Sequence, residues 1–248
     1  MNVRSLWAGI PAWMKLLCLC ITGSCLLLAA RVGYTGELNF LFLVWNLFLA
    51  GVPLLFSFGL SVGKKSRPIA IQWMLVGVWL AFFPNSSYIL TDLFHLTRFT
   101  DQAPLWFDLL MLLAFSFTGL LMGYFSLYQI HQWLKERFST SQVYLLLLGI
   151  MGATGFGLYL GRFQRWNSWD LITRPLGLLE DIAAHVLLPW EHIGCWGFTF
   201  GFGAFLAIGY TTFVFLVEGR FHSSEPVRAS KIRSQTLEGP SLKDYLDV

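Results

Sequence analysis

Six stretches of this chain are each apolar over about the length of helix that crosses a bilayer, roughly 20 residues. They run Ala12–Ala30, Leu38–Leu60, Ile69–Leu90, Phe107–Ile130, Val143–Leu160 and Cys195–Val217. In hydrocarbon each backbone N–H and C=O must find its partner inside the protein, so a lone segment of this length spans as a helix. Composition points the same way. Charged residues make up 12% and hydrophobic residues 56% of the 248. A soluble domain carries roughly 25% charged residues. Too few charges are present to clothe a surface facing water. The expected fold is an all-α integral membrane protein, a bundle of about six transmembrane helices occupying residues 1–222. Residues 223–248 hold Ser, Pro and charges without periodicity, and read as a disordered cytoplasmic tail.

Orientation follows from the cations flanking the spans. Of the 17 Lys and Arg, twelve fall in the N-terminus, loops two and four and the C-terminal tail. Only Arg31, Arg98, Arg162, Arg165 and Arg174 fall in loops one, three and five. This bias places both termini in the cytoplasm of a cell (plasma or inner) membrane and the odd loops outside. Arg4 and Lys15 ahead of the first apolar run resemble a signal peptide. Leu28, however, stands where cleavage wants a small residue, so an uncleaved first helix is expected. Cys18, Cys20 and Cys25 lie in that first run and Cys195 is distant, so the thiols read as small hydrophobes. No basic cluster interleaved with aromatics is present, which excludes a nucleic-acid partner of the usual kind. The bilayer is the expected partner, and the eleven Trp suit its interfaces. Walker, GxSxG, HExxH and GxGxxG motifs are absent.

The scarce polar residues gather in loops three and five. In Pro84–Leu96 the helical spacing puts Asn85, Tyr88, Asp92 and His95 on one stripe and Ile89, Leu93 and Leu96 on the other. The expectation is an amphipathic helix at the outer interface. Asp92 and His95, one turn apart, suit a shared divalent metal, or Asp92 can orient His95 as a general base. The plainer alternative is a polar face turned to water and headgroups. Loop five opens with Gly161–Asp170, where Arg162, Arg165, Trp166, Asn167 and Asp170 are candidates for binding a phosphate or carboxylate. An aromatic anchor with arginines on lipid phosphates is the plainer reading there. Pro175 then starts a second expected interfacial helix, with Asp181 and His185 on one face. Asp92, His95, Asp181 and His185 together form a ligand set suited to a metal, and no other cofactor is indicated. Asp108 opens the fourth span, where the helix dipole alone favours a carboxylate. Asn46 and Gln129 suit bonds between neighbouring helices. The small-xxx-small runs Ala153/Gly157/Gly161 and Gly197/Gly201 suit close helix packing.

The block Trp79–Leu96, with its core Pro84-Asn85-Ser86-Ser87-Tyr88-Ile89-Leu90-Thr91-Asp92, resembles the signature of a bacterial membrane-protein family known as domain of unknown function 1361. Gly161–Asp170 resembles that family's second block. The resemblance runs from about the second span to the sixth. Where the family pattern has Asn-Ala-Pro-Tyr, this chain has Asn85-Ser86-Ser87-Tyr88, and the missing proline permits a smoother helix. The resemblance implies a multi-helix bacterial membrane protein. It implies no activity.

Three function classes remain open on sequence. One is a membrane enzyme acting on a lipid-linked or envelope substrate at the outer leaflet. In it Asn85, Tyr88, Asp92 and His95 are the catalytic set, and the loop-five arginines hold the anionic group. The second is a small-solute transporter whose path includes a helix break at Pro84-Asn85. The third is a non-catalytic assembly or scaffold factor.

Overall fold

In a computed structural model, the described residues, which are 11–62, 67–98 and 103–222, form helices joined by short loops, with no strand among them. The elements are α1 (Ala12–Thr35), α2 (Phe42–Val62), α3 (Ile69–Phe82), α4 (Pro84–Tyr88) and a 3-10 segment (Ile89–Arg98). They continue as α5 (Leu105–Lys135), α6 (Thr140–Phe163), α7 (Asp170–Thr173), α8 (Pro175–Leu187) and α9 (Ile193–His222). Six stretches are long and apolar enough to span: Ala12–Thr35, Phe42–Val62, Ile69–Phe94, Leu105–Lys135, Thr140–Phe163 and Ile193–Gly219. Each overlaps a stretch expected from sequence. The chain divides into two compact units, Met1–Ala207 and Ile208–Val248. In the second, the described residues continue α9 to His222. Residues 223–248, expected to be a disordered tail, lie outside the described residues.

Local signals set the helix ends. Pro11, Pro68 and Pro104 each precede a helix with extended ψ of 145°, 144° and 130°. Proline fixes φ near the helical value and lacks the N–H that a helix start leaves unbonded. Its carbonyl accepts the first turn, as in Phe107 N to Pro104 O at 2.9 Å. The α6 start uses a polar device, with the Ser139 N–H donating to Gln142 Oε1 at 3.0 Å. Gly36 ends α1 with φ 72°, the left-handed turn that glycine takes most cheaply.

The centre is α5, whose most apolar window is 44% buried, against 17% for α9. Leu43, Leu47, Ile89, Met111, Leu112 and Phe115 form the core between α2, the 3-10 segment and α5. The small residues of α5 and α6 admit the α4 backbone. A Cβ on Gly119 would sit 2.7 Å from Ser86 O, and one on Gly157 2.9 Å from Pro84 Cγ. Gly155 and Gly203 bring α6 and α9 together, against Thr199 O and Met151 O. Gly197 and Gly201, expected to pack helices, face open space. Large apolar side chains such as Trp45, Phe48, Trp106, Phe117 and Phe200 remain exposed, as suits a protein whose solvent is lipid.

Candidate functional site

Loops one, three and five converge at one end of the first unit. The third span carries the chain into that end as one stretch, Ile69–Phe94, without the helix break at Pro84-Asn85 that a transporter path would use. Phe83 is helical (φ −58°, ψ −37°), so α3 passes directly into α4. Proline costs a backbone bond at this point. The Ser86 N–H and hydroxyl both turn to Phe83 O, at 3.1 and 2.7 Å. After Tyr88 the chain tightens to three residues per turn, so residues three apart eclipse. Ile89 and Asp92 therefore share a side, and both are buried. Of the expected polar stripe, Asp92 is turned into the protein, and Asn85 and Tyr88 are half-buried.

Asp92 is the hub of that inward face. Its Oδ2 accepts from Asn46 Nδ2 on α2 at 2.7 Å. Its Oδ1 accepts from Arg162 Nη1 at the end of α6 at 3.1 Å. Arg162 Nη2 also donates to Thr91 O. The guanidinium lies 5.6 Å from the ring centres of both Tyr88 and Phe94. Side-chain exposure is 2% for Asp92 and 11% for Arg162, so this pair is shielded from water. Loops three and five also meet at Asn85, whose Nδ2 donates to Ser168 Oγ at 2.9 Å. Ser168 in turn donates to Ala81 O at 3.0 Å.

The last turns of α1 join through a second, fully buried pair. Arg31 Nε donates to Asp108 Oδ1 at 2.7 Å and Nη2 to Oδ2 at 3.4 Å. Both side chains are 0% exposed. The Arg31 guanidinium lies 4.4 Å from the Phe40 ring centre. Asp108 thus has a specific counter-ion as well as the dipole of α5.

The first residues after α6 make a sharp turn. Among the described residues Arg165 alone, other than glycine, has positive φ (62°), and it returns the Trp166 N–H to Leu160 O at 3.1 Å. Asp170 locks the rest. Its Oδ2 accepts the Asn167 N–H at 2.8 Å, and its Oδ1 accepts from Thr173 and Arg174. The Asn167 N–H bond, with the Thr173 hydroxyl and the Arg174 cation behind it, holds the Asp170 carboxyl below the usual carboxylate range. Trp166 Nε1 donates to Asp181 Oδ2 at 2.7 Å, and Arg174 stacks over the Trp166 ring at 4.7 Å. Asp170, Trp166 and Asp181 are thereby framework for the turn.

Two adjoining clefts result. The first, about 440 Å³, is lined by Tyr88, Phe94, Arg162, Phe163, Arg165 and Asn167. Arg165 is exposed and, among the described residues, makes no hydrogen bond or ion pair. The second, about 320 Å³, shares Tyr88, Gly161 and Asn167 with the first and continues past Asn85 and Ser168. The arrangement can bind an anion. Arg162 is held rigid by Asp92, and Arg165 supplies an unneutralised charge.

The structure brings together Asn85, Tyr88, Asp92, Arg162, Arg165 and Asn167. It does not bring Asp181 and His185 to Asp92 as one ligand group. Among the described residues no three His, Cys, Asp or Glu are placed to hold a metal ion. The His185 Nδ1–H donates to Asp181 O at 2.8 Å, and its ring stacks on His192 at 4.0 Å. The side chain of His95 lies outside the described residues. Cys195 is buried at 1% exposure, in keeping with a thiol that packs as a small hydrophobe. Sequence reasoning missed Ser168 and gave Arg31 only a topological role. Asn46 was visible as a polar side chain amid an apolar span. That signal marks a partner but not which one.

The sequence profile of the family described as "Protein of unknown function (DUF1361)" matches residues 45–208. The chain belongs to the DUF1361 family. The matched region runs from Trp45, beside Asn46, to the end of the first unit, and so contains Asp92, Arg162 and Arg165. Arg31, which pairs with Asp108, lies ahead of it. No curated protein and no solved structure matches this DUF1361 chain.

Proposed function

We propose that this multi-pass membrane protein binds a phosphate- or carboxylate-bearing molecule at the Arg162–Arg165 cleft. The charge bias of the loops supports placing that cleft on the outer face of a bacterial plasma membrane, with both termini cytoplasmic. The observation carrying the reading is the cleft's charge arrangement. Arg162 is oriented by Asp92 and Thr91 O, while exposed Arg165 lacks an acidic partner among the described residues. Rigid guanidinium donors match planar or tetrahedral oxyanions, and a fixed donor loses less entropy on binding. Both Asp92 oxygens are engaged, which favours a role in positioning Arg162 over one as metal ligand or general base. The test is titration of the purified protein, in discs of zwitterionic lipid, with a soluble phosphomonoester and with the matching neutral alcohol. Phosphate-dependent binding that falls about tenfold in Arg165→Gln, the loss of one charged contact, is the expected result. Equal binding of phosphate and alcohol, or no effect of Arg165→Gln, refutes the reading. Arg162→Lys keeps the charge but not the fork, and should weaken binding to an intermediate degree.

A further inference from the structure

We infer that the second cleft seats the hydrocarbon chain of the molecule whose anionic head lies on Arg165, so that the ligand class is a long-chain lipid phosphate. The inference rests on the anion-binding reading above and names its substrate class. The two clefts meet at Tyr88, Gly161 and Asn167, so one begins where the other ends. Their chemistry differs in the way the two ends of an amphiphile differ. The first offers guanidinium groups. The second is walled by Trp45, Leu80, Trp169, Leu171 and Ile182. Trp45, Leu80, Trp169 and Leu171 are each at least 40% exposed, in a chain whose surrounding solvent is lipid. The groove is therefore open along its side to the bilayer, from which a chain can enter.

Three polar side chains of the second cleft are already paired within the protein. Asn46 donates to Asp92, Asn85 to Ser168 and to Phe82 O, and Ser168 to Ala81 O. A hydrocarbon lying there leaves none of these three donors stranded, which lowers the desolvation cost of seating it. Gly157 and Gly161 let the groove floor form, because a Cβ on either would meet Pro84 or Tyr88 at 2.9 and 3.1 Å. Tyr88 stands at the junction, its ring against the Arg162 guanidinium. That places the head–tail boundary of the ligand at Tyr88. An anionic head drawn to Arg165 selects this groove among the other apolar surfaces of the protein.

The test compares four probes by native mass spectrometry in neutral detergent. They are a soluble phosphomonoester, a short-chain alkyl phosphate, a long-chain alkyl phosphate and the long-chain alcohol. The long-chain phosphate should bind at least about tenfold more tightly than the soluble phosphomonoester, since each buried methylene adds to affinity. Leu80→Ser with Leu171→Ser should remove most of that advantage and leave soluble phosphate binding unchanged. Ile172→Ser, exposed on α7 beside the groove but not lining it, should change neither. Soluble and long-chain phosphates binding equally, or the groove variant behaving like Ile172→Ser, overturns the lipid assignment while the anion site stands. Alcohol binding as tightly as phosphate also overturns it, because head and tail then act separately. No phosphate binding in any probe sinks the anion site itself.

Discussion

The buried pair of Arg31 and Asp108 sets a sharp stability expectation. Both side chains are fully removed from solvent, and two hydrogen bonds at 2.7 and 3.4 Å hold the fork against the carboxylate. Asp108→Leu deletes the charge and both acceptors, leaving a guanidinium in a medium that cannot solvate it. Arg31→Met leaves the reverse orphan. Breaking a buried pair from one side costs about 3–5 kcal/mol. A domain holds about 5–15 kcal/mol in total, so each single variant should lose a large share of its folded population on mild challenge. Replacing both residues together, Arg31→Met with Asp108→Leu, removes the orphan. That double variant should lie within about 1 kcal/mol of wild type, or above it, because matched apolar side chains often replace buried ion pairs at no loss. Equilibrium unfolding in mixed micelles of rising denaturing-detergent content, followed by circular dichroism, gives all four corners of the cycle. The coupling between the two sites should reach at least about 3 kcal/mol. Single variants costing under about 1 kcal/mol would refute the reasoning, as would a double variant costing the sum of the singles.

Gly119→Val should destabilise by about 1–3 kcal/mol, because the nearest obstacle is the α4 backbone at Ser86 O, which cannot rotate away; the same unfolding assay reads it. Arg165→Gly relieves a left-handed backbone that costs a non-glycine residue roughly 1–2 kcal/mol. Its stability should hold or rise by up to about 1 kcal/mol while phosphate binding falls, and loss of both together would count against a functional reason for the arginine. Asp170 titrates below its ordinary value when folded, so its contribution is complete above about pH 4 and is lost as pH falls through the folded value. Tryptophan fluorescence from Trp166 and Trp169 should therefore change on acidification below about pH 4 in wild type and lose that transition in Asp170→Asn. An impermeant thiol reagent should leave Cys195 unlabelled on intact cells and label it only after unfolding, since the residue is buried.

Much of this was legible in the sequence, and what escaped has a common cause. The spans follow from apolar length, and their order places the loop clusters at one end by alternation alone. The small residues of α6 signalled a close approach, whereas Gly119 of α5 carried no such pattern. What they approach, the Pro84–Tyr88 helix, was not visible, because the 3.6-residue period says nothing of a partner's identity. The polar stripe of Asn85, Tyr88 and Asp92 is legible from spacing, but spacing leaves open whether it meets water or protein. Beside lipid a carboxylate gains by turning inward, and Asp92 does so to Asn46 and Arg162. The change to three residues per turn after Tyr88 brings Ile89 and Asp92, about 60° apart on an α-helix, into line on one buried side. Arg31 was counted as a topological marker, since its partner lies 77 residues further along the chain.

Three of the ties that build this end of the molecule are long-range. Arg31 waits for Asp108 across 77 residues, Asp92 for Arg162 across 70, and Asn85 for Ser168 across 83. A chain threaded into a bilayer from its N-terminus carries the first member of every pair before the second exists. Arg31 is therefore inserted before its counter-ion exists, and Asp92 has only Asn46 until Arg162 follows. The late-arriving sixth helix-end, with Arg162 and Ser168, closes two of the three ties at once. Ribosome-stalled or truncated forms ending before Arg162 should be targets of membrane quality control, with their polar stripe open to recognition. The site would then serve the cell as its own certificate of complete assembly.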